Sequence, residues 1–136
     1  MKRIMIVDDS RTTRKLVAAL LEQDGYQVDS ASNGIEALEA LFRSAYDLVI
    51  IDIDMPQMDG FELLRSLKAD GVYQKVPIIL LTAEATCEEV ARGLSLGARE
   101  YLVKPVLLGK LSCCVRRILA DESQEPCNLE ERDSSD

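Results

Sequence analysis

Short apolar runs alternate with helical stripes along this chain. Residues 3–7 form a run rich in β-branched side chains that ends in the acids Asp8 and Asp9. Residues 12–23 place Leu16, Val17, Leu20 and Leu21 at helical spacing, and Gly25 stops that helix. Residues 26–31 read as a second strand. Residues 34–44 are helical through Ile35, Leu38 and Leu41. Residues 47–53 contain Leu48-Val49-Ile50-Ile51, apolar without alternation, as expected of a central parallel strand covered on both faces. A helix at 60–69, a second continuous apolar run at 76–81 and a weaker helix at 86–96, with Gly93 inside it, follow. A short strand at 99–103 precedes an amphipathic helix at 107–120. There Leu107, Leu111, Val115 and Ile118 form one stripe, with Lys110, Arg116 and Arg117 off it.

Five strands alternating with five helices predict a doubly wound α/β fold around a five-stranded parallel sheet. Right-handed crossovers fix most of its topology. In such sheets function gathers at the carboxyl ends of the strands. Those ends supply Asp8 and Asp9, then Asp52, then Thr82, then Lys104. The strand at 26–31 ends in no reactive side chain.

Composition narrows the picture. Hydrophobic residues make up 47% of the 136, enough for a real core, but aromatics are only 4% and Trp is absent, so that core is aliphatic. Seven acids against one arginine in residues 121–136 give −6 of the formal net charge of −8, leaving −2 for the first 120 residues. The expected division is a folded domain at 1–120 and an acidic tail at 121–136, disordered and solubilising. Neither part carries the basic footprint of direct nucleic-acid binding. The cysteines Cys87, Cys113, Cys114 and Cys127 form no CxxC pair and there is no His, which argues against a zinc site of the usual kind. Adjacent Cys113 and Cys114 read as small buried hydrophobes. No signal peptide opens the chain and no apolar stretch reaches membrane-spanning length, so a cytoplasmic protein with reduced thiols is expected.

The strand-end residues form a chemical set. Three carboxylates at neighbouring strand ends repel one another unless a cation joins them. Oxygen-only ligands select a hard ion, and magnesium is the natural choice. A carboxylate can attack phosphorus and form an aspartyl phosphate. The transferring phosphoryl group then needs positive charge and donors on its oxygens, which Lys104, the hydroxyl of Thr82 and the metal supply.

Each residue has a plainer alternative. Asp9 or Ser10 could simply cap the first helix. Thr82 could be a turn residue and Lys104 a solvated surface lysine. Asp52 is different, because a lone acid closing a buried strand is costly. The coincidence of all five on one sheet edge favours function. The Lys104-Pro105 bond could be cis, aiming the lysine back across that edge, or an ordinary trans bond; the residues leave both open.

Ile4-Met5-Ile6-Val7-Asp8-Asp9-Ser10, the run from Leu48 through Asp52-Ile53-Asp54-Met55-Pro56-Gln57-Met58-Asp59 to Gly60, Leu81-Thr82-Ala83 and Tyr101-Leu102-Val103-Lys104-Pro105 together closely resemble the response-regulator receiver family. The resemblance spans residue 2 to about residue 119, and it implies the CheY-like, flavodoxin-like strand order 2-1-3-4-5. It implies Asp52 as phosphoacceptor, and Asp8 and Asp9 as the acidic pair that holds Mg2+ with Asp52 and the backbone carbonyl of Asp54. It further implies Thr82 as switch hydroxyl, Lys104 as the phosphoryl-binding lysine and Tyr101 as switch aromatic. The implied donor is a phosphohistidine on a histidine kinase or histidine phosphotransfer domain. The implied output is a changed surface over the fourth helix, fifth strand and fifth helix, read by a downstream protein. Such a protein is not an enzyme beyond catalysing its own phosphorylation and dephosphorylation. It is a monomer or a weak, phosphorylation-dependent dimer.

Two features depart from the common pattern. Val106 stands where many receivers have Phe. Asp54 and Glu84, two residues beyond Asp52 and Thr82, are both acidic and are candidates for tuning the phosphate lifetime. Asp8-Asp9-Ser10 followed by Arg11 to Arg14 leans toward stand-alone regulators of chemotaxis or motility. The rival readings are an unphosphorylated receiver-fold interaction module, a receiver fragment of a larger regulator, and a haloacid-dehalogenase-like phosphatase beginning at Asp52-Ile53-Asp54. The last expects a further acidic pair late in the chain, and none follows Lys104 within the expected folded part.

Overall fold

The computed structural model describes residues 1–55, 60–69, 71, 73–83, 86–105 and 107–122. Glu84, Val106, the 56–59 stretch of the family motif, Cys127 and the tail beyond residue 122 lie outside them. Five strands, β1 Arg3–Val7, β2 Gln27–Ala31, β3 Leu48–Asp52, β4 Ile78–Thr82 and β5 Glu100–Val103, alternate with five helices. These are α1 Arg11–Gln23, α2 Gly34–Arg43, α3 Gly60–Ala69, α4 Cys87–Ser95 and α5 Leu108–Glu122. All strands are parallel, in the order β2-β1-β3-β4-β5.

Alternation along the inner strands builds two cores. Ile4, Ile6, Leu48, Ile50, Ile79, Leu81 and Leu102 meet Val17 and Leu21 of α1 and Leu111, Val115 and Ile118 of α5. Met5, Val7, Val49, Ile51, Ile78 and Leu80 meet Ala37 and Leu41 of α2 and Phe61, Leu63, Leu64 and Leu67 of α3. β3 and β4 are buried at every residue, because helices cover both faces.

Side chains close the helix starts where strands hand over. Ser10 Oγ accepts from the Thr13 N–H at 3.3 Å, Asn33 Oδ1 from the Glu36 N–H at 2.8 Å and Thr86 Oγ1 from the Glu89 N–H at 3.1 Å. Of the two candidate caps for the first helix, Ser10 is therefore the one used. That helix ends at the Asp24 cap with Gly25 at φ +100°, the left-handed position a side chain would resist.

Several expectations need correction. Leu16 is 53% exposed, Ile35 52% and Leu107 67%, although all three fall on apolar stripes. A helix resting on a sheet buries only its central line, here Val17 and Leu21 on α1 and Ala37 and Leu41 on α2. Leu107 precedes the first turn of α5. Of the adjacent cysteines only Cys114 is buried; Cys113 is exposed, since neighbours on a helix point about 100° apart. β4 begins at Ile78 rather than residue 76 and runs on through Thr82. α5 continues to Glu122, taking in the first two residues assigned to the tail.

Candidate functional site

The register of the sheet brings the strand-end acids together. Val7 pairs with Ile51, so the next residues of β1 and β3, Asp8 and Asp52, stand side by side. Both continue the parity of Ile6 and Ile50, on the α1 and α5 side. Thr82 continues the parity of Ile78 and Leu80, and Tyr101 pairs with Leu80, so these two share the opposite side. The edge is thereby divided into an acidic half and a hydroxyl half.

Asp8 is wholly buried and Asp52 is 1% exposed, while Asp9 is open to solvent. One carboxylate oxygen from each of the three lies within 4.8 Å of the others, and this is the one such acidic cluster among the described residues. Asp8 is fixed from two directions. The Ser10 N–H donates to its Oδ1 at 2.8 Å, and Arg14 Nη1 donates to its carbonyl at 2.7 Å. Sequence reasoning missed Arg14; its place one turn into the helix after the Asp8-Asp9 pair was the available signal.

Lys104 Nζ reaches both buried acids, 3.0 Å from Asp8 Oδ2 and 3.2 Å from Asp52 Oδ2. The Lys104-Pro105 bond is cis, which answers the question the residues left open. Asp52 Oδ1 accepts from the Asp54 N–H at 3.0 Å. Burial pushes the Asp52 carboxyl up from its ordinary 3.8 to about 6. The Asp54 N–H and Lys104 hold it down, and the charge of Asp8 drives it up. Burial works against the charge on Lys104 as well, but its contacts with Asp8 and Asp52 outweigh that and raise its pKa.

The site is short of positive charge. One lysine faces three carboxylates, and Asp8 Oδ2 is buried with no partner in hydrogen-bond geometry despite its nearness to Lys104. A buried carboxylate oxygen among hard oxygen donors, countered by a single lysine that it shares with Asp52, suits a small divalent cation.

Asp54 is exposed, but its carboxylate is not idle: Oδ2 accepts from the Ala83 N–H at 3.2 Å, linking the ends of β3 and β4 across the site. Thr82 is 1% exposed. Gly60, which sequence reasoning also passed over, opens α3 against the site. A Cβ there would lie 2.5 Å from Ile53 Cα and 2.8 Å from the Asp52 carbonyl oxygen. On the far side of β5, a groove of about 200 Å³ is lined by Tyr101, Val103, Pro105, Leu107 and Lys110.

Comparison with known proteins agrees with this geometry. Residues 4–116 match the response regulator receiver domain family. The response regulator MprA of Mycobacterium leprae is 38% identical over 127 residues, covering 90% of this chain and 55% of that protein. The transcriptional regulatory protein PcoR of Escherichia coli is 36% identical over 119 residues, covering 88% and 52%. The chain thus spans about half the length of these curated relatives. Among solved structures, the chemotaxis response regulator CheY4 of Vibrio cholerae is 35% identical with a TM-score of 0.83, covering 87% of this chain and 98% of that one. The response regulator TrrA of Thermotoga maritima, solved with Mg2+ and BeF, is 38% identical with a TM-score of 0.77, covering 86% and 98%. With five parallel strands in the order 2-1-3-4-5 and an acidic cluster at their carboxyl ends, the chain belongs to the response regulator receiver domain family of two-component signalling.

Proposed function

We propose that this protein is a phosphorylation switch that takes a phosphoryl group on Asp52 from the phosphohistidine of a histidine kinase or phosphotransfer domain. The observation that carries this reading is the buried Asp52 carboxylate, clustered with Asp8 and Asp9 and touched by Lys104. An Asp52 oxygen attacks phosphorus, a P–O bond forms, the P–N bond breaks, and the electron pair returns to the imidazole nitrogen.

Asp8, Asp9, Asp52 and the backbone carbonyl of Asp54 would hold Mg2+, which supplies charge neutralisation for the carboxylates and the phosphoryl oxygens. Lys104 donates to a phosphoryl oxygen, giving up its contact with Asp52 as that oxygen becomes the bridging oxygen of an acyl phosphate. Thr82 donates its hydroxyl to another. Phosphorylation adds charge and acceptors at one point, and the movement of Thr82 leaves room that Tyr101 takes up. Output passes through the surface of α4, β5 and α5 to a partner protein, where Val103 and Leu107 stand exposed beside the Tyr101 groove.

The domain runs through the end of α5 at Glu122, with the acidic residues 123–136 after it; it acts in the cytoplasm as a monomer or weak phosphorylation-dependent dimer, and without direct contact to nucleic acid. No described helix is long and apolar enough to cross a membrane. The likeness to CheY4 supports chemotaxis or motility as the pathway class. Incubating the protein with acetyl phosphate and Mg2+ and following its mass tests the reading. One added phosphoryl group is expected, absent in Asp52→Asn and absent with chelator. No addition under any donor would overturn it in favour of an unphosphorylated interaction module.

A further inference from the structure

Tyr101 lies against α4 at a place where the helix has no side chain. A Cβ on Gly93 would come within 3.1 Å of Tyr101 Cε2 and 2.7 Å of Leu80 Cδ1. The ring occupies the room that glycine leaves. The phenol oxygen is buried, and its O–H meets no acceptor in hydrogen-bond geometry. Burial raises its pKa, the nearby charges of Glu89 and Asp54 add to the rise, and the Thr82 hydroxyl, which donates toward the phenol oxygen and leaves the O–H itself without an acceptor, works the other way. Tyr101 therefore presents a neutral O–H donor in need of an acceptor.

Glu89 precedes Gly93 by four residues, so the two lie on one stripe of α4, a turn apart. The charge of Glu89 reaches the Tyr101 phenol. Glu89 Oε1 is also buried without a hydrogen-bond partner. The other carboxylate whose charge reaches the phenol, Asp54, already accepts from the Ala83 N–H. A buried O–H without an acceptor and a buried carboxylate oxygen without a donor each carry a desolvation penalty, and a hydrogen bond between them removes both.

We propose that Glu89 is the positioning residue for Tyr101: its carboxylate accepts the Tyr101 O–H and holds the ring inward against Gly93. This ties α4 to β5 beneath the output surface and supports the inward ring before any phosphoryl group arrives. Only the signalling consequence rests on the proposed phosphorylation switch; the contact itself does not.

The test uses the full chain, unphosphorylated and metal-free, with its four tyrosines carrying 13C at Cζ. Tyr101 is assigned by the resonance lost in Tyr101→Phe. Wild type is expected to show contact between the Tyr101 ring and Gly93 Hα by nuclear Overhauser effect, and a phenol pKa above the ordinary value. Glu89→Ala should lose that contact and lower the phenol pKa. Glu89→Gln keeps an acceptor oxygen without the charge, so it should retain the contact while the pKa still falls. A residue serving only α4 would not separate the two variants in this way. Retention of the contact in Glu89→Ala, or an unchanged pKa in both variants, would overturn the proposal. Failure of the acetyl phosphate experiment would leave this result standing, and the reverse also holds.

Discussion

Lys104 Nζ stands 3.2 Å from Asp52 Oδ2, a lysine from the loop after β5 reaching the last residue of β3 with β4 between them. The same nitrogen is 3.0 Å from Asp8 Oδ2, so one cation separates two buried carboxylates. Removing one partner from such an arrangement leaves uncompensated charge. Lys104→Met should therefore destabilise the metal-free protein at neutral pH by about 1–3 kcal/mol. Mg2+ should recover more stability in the variant than in wild type, because it replaces the lost charge. Urea unfolding with and without Mg2+ measures both; equal Mg2+ effects in the two proteins would contradict the arrangement.

Asp52 also predicts a pH dependence. Its folded pKa, about 6, lies above its ordinary 3.8, so between those values the folded state binds more protons than the unfolded state. The stability contribution is complete below the ordinary pKa and is lost as pH rises through about 6. In chelator, Asp52→Asn should thus be more stable than wild type at pH 7.5, by on the order of 1–2 kcal/mol, with the difference shrinking toward pH 4. Chemical denaturation at the two pH values checks this. A difference independent of pH would show that Asp52 is not held in its costly charged form.

Gly60 bears on the site through backbone, not side chain. A methyl group there meets Ile53 Cα and the Asp52 carbonyl, and neither atom can rotate away. Gly60→Ala should cost about 1–3 kcal/mol in spite of its better helix propensity. It should also weaken Mg2+ binding by displacing the end of β3. Thermal unfolding and a Mg2+ titration provide the two readings. A stabilised variant would mean that α3 shifts freely at its first turn.

The acids two residues past Asp52 and Thr82 are proposed to set how long the phosphate lasts. Asp54 stretches across the site to the Ala83 N–H, which holds its carboxylate between the ends of β3 and β4. Asp54→Asn with Glu84→Gln should change the hydrolysis rate of the aspartyl phosphate several-fold, on the order expected for charge acting on a nearby nucleophile. Phosphoprotein decay after removal of the donor gives the rate. Equal lifetimes in wild type and the double variant would reject the idea.

The Asp54 contact shows where sequence reading stops. Its acidity and its offset from Asp52 are visible in the chain, but the Ala83 N–H lies 29 residues away and comes near only when β3 and β4 pair. Glu89 was passed over for the same reason. Thr86-Cys87-Glu88-Glu89 has the spacing of a capping box, which draws attention to the helix start and away from β5. Leu16, Ile35 and Leu107 erred in the other direction. Periodicity reports which residues share a face, whereas burial depends on how much of that face the sheet can reach.

By itself the sequence determined the number and kind of elements, the parallel sheet and the edge where Asp8, Asp9, Asp52, Thr82 and Lys104 meet. Those follow from local pattern: continuous apolar runs, helical stripes and the residue that closes each strand. Tertiary structure alone decided the charge balance within that edge. Register set Asp8 beside Asp52, the return of the chain after β5 brought one lysine to both, and burial raised the cost of leaving either unpaired. Distance and dielectric environment control electrostatic energy, and both come into being only when the strands pair.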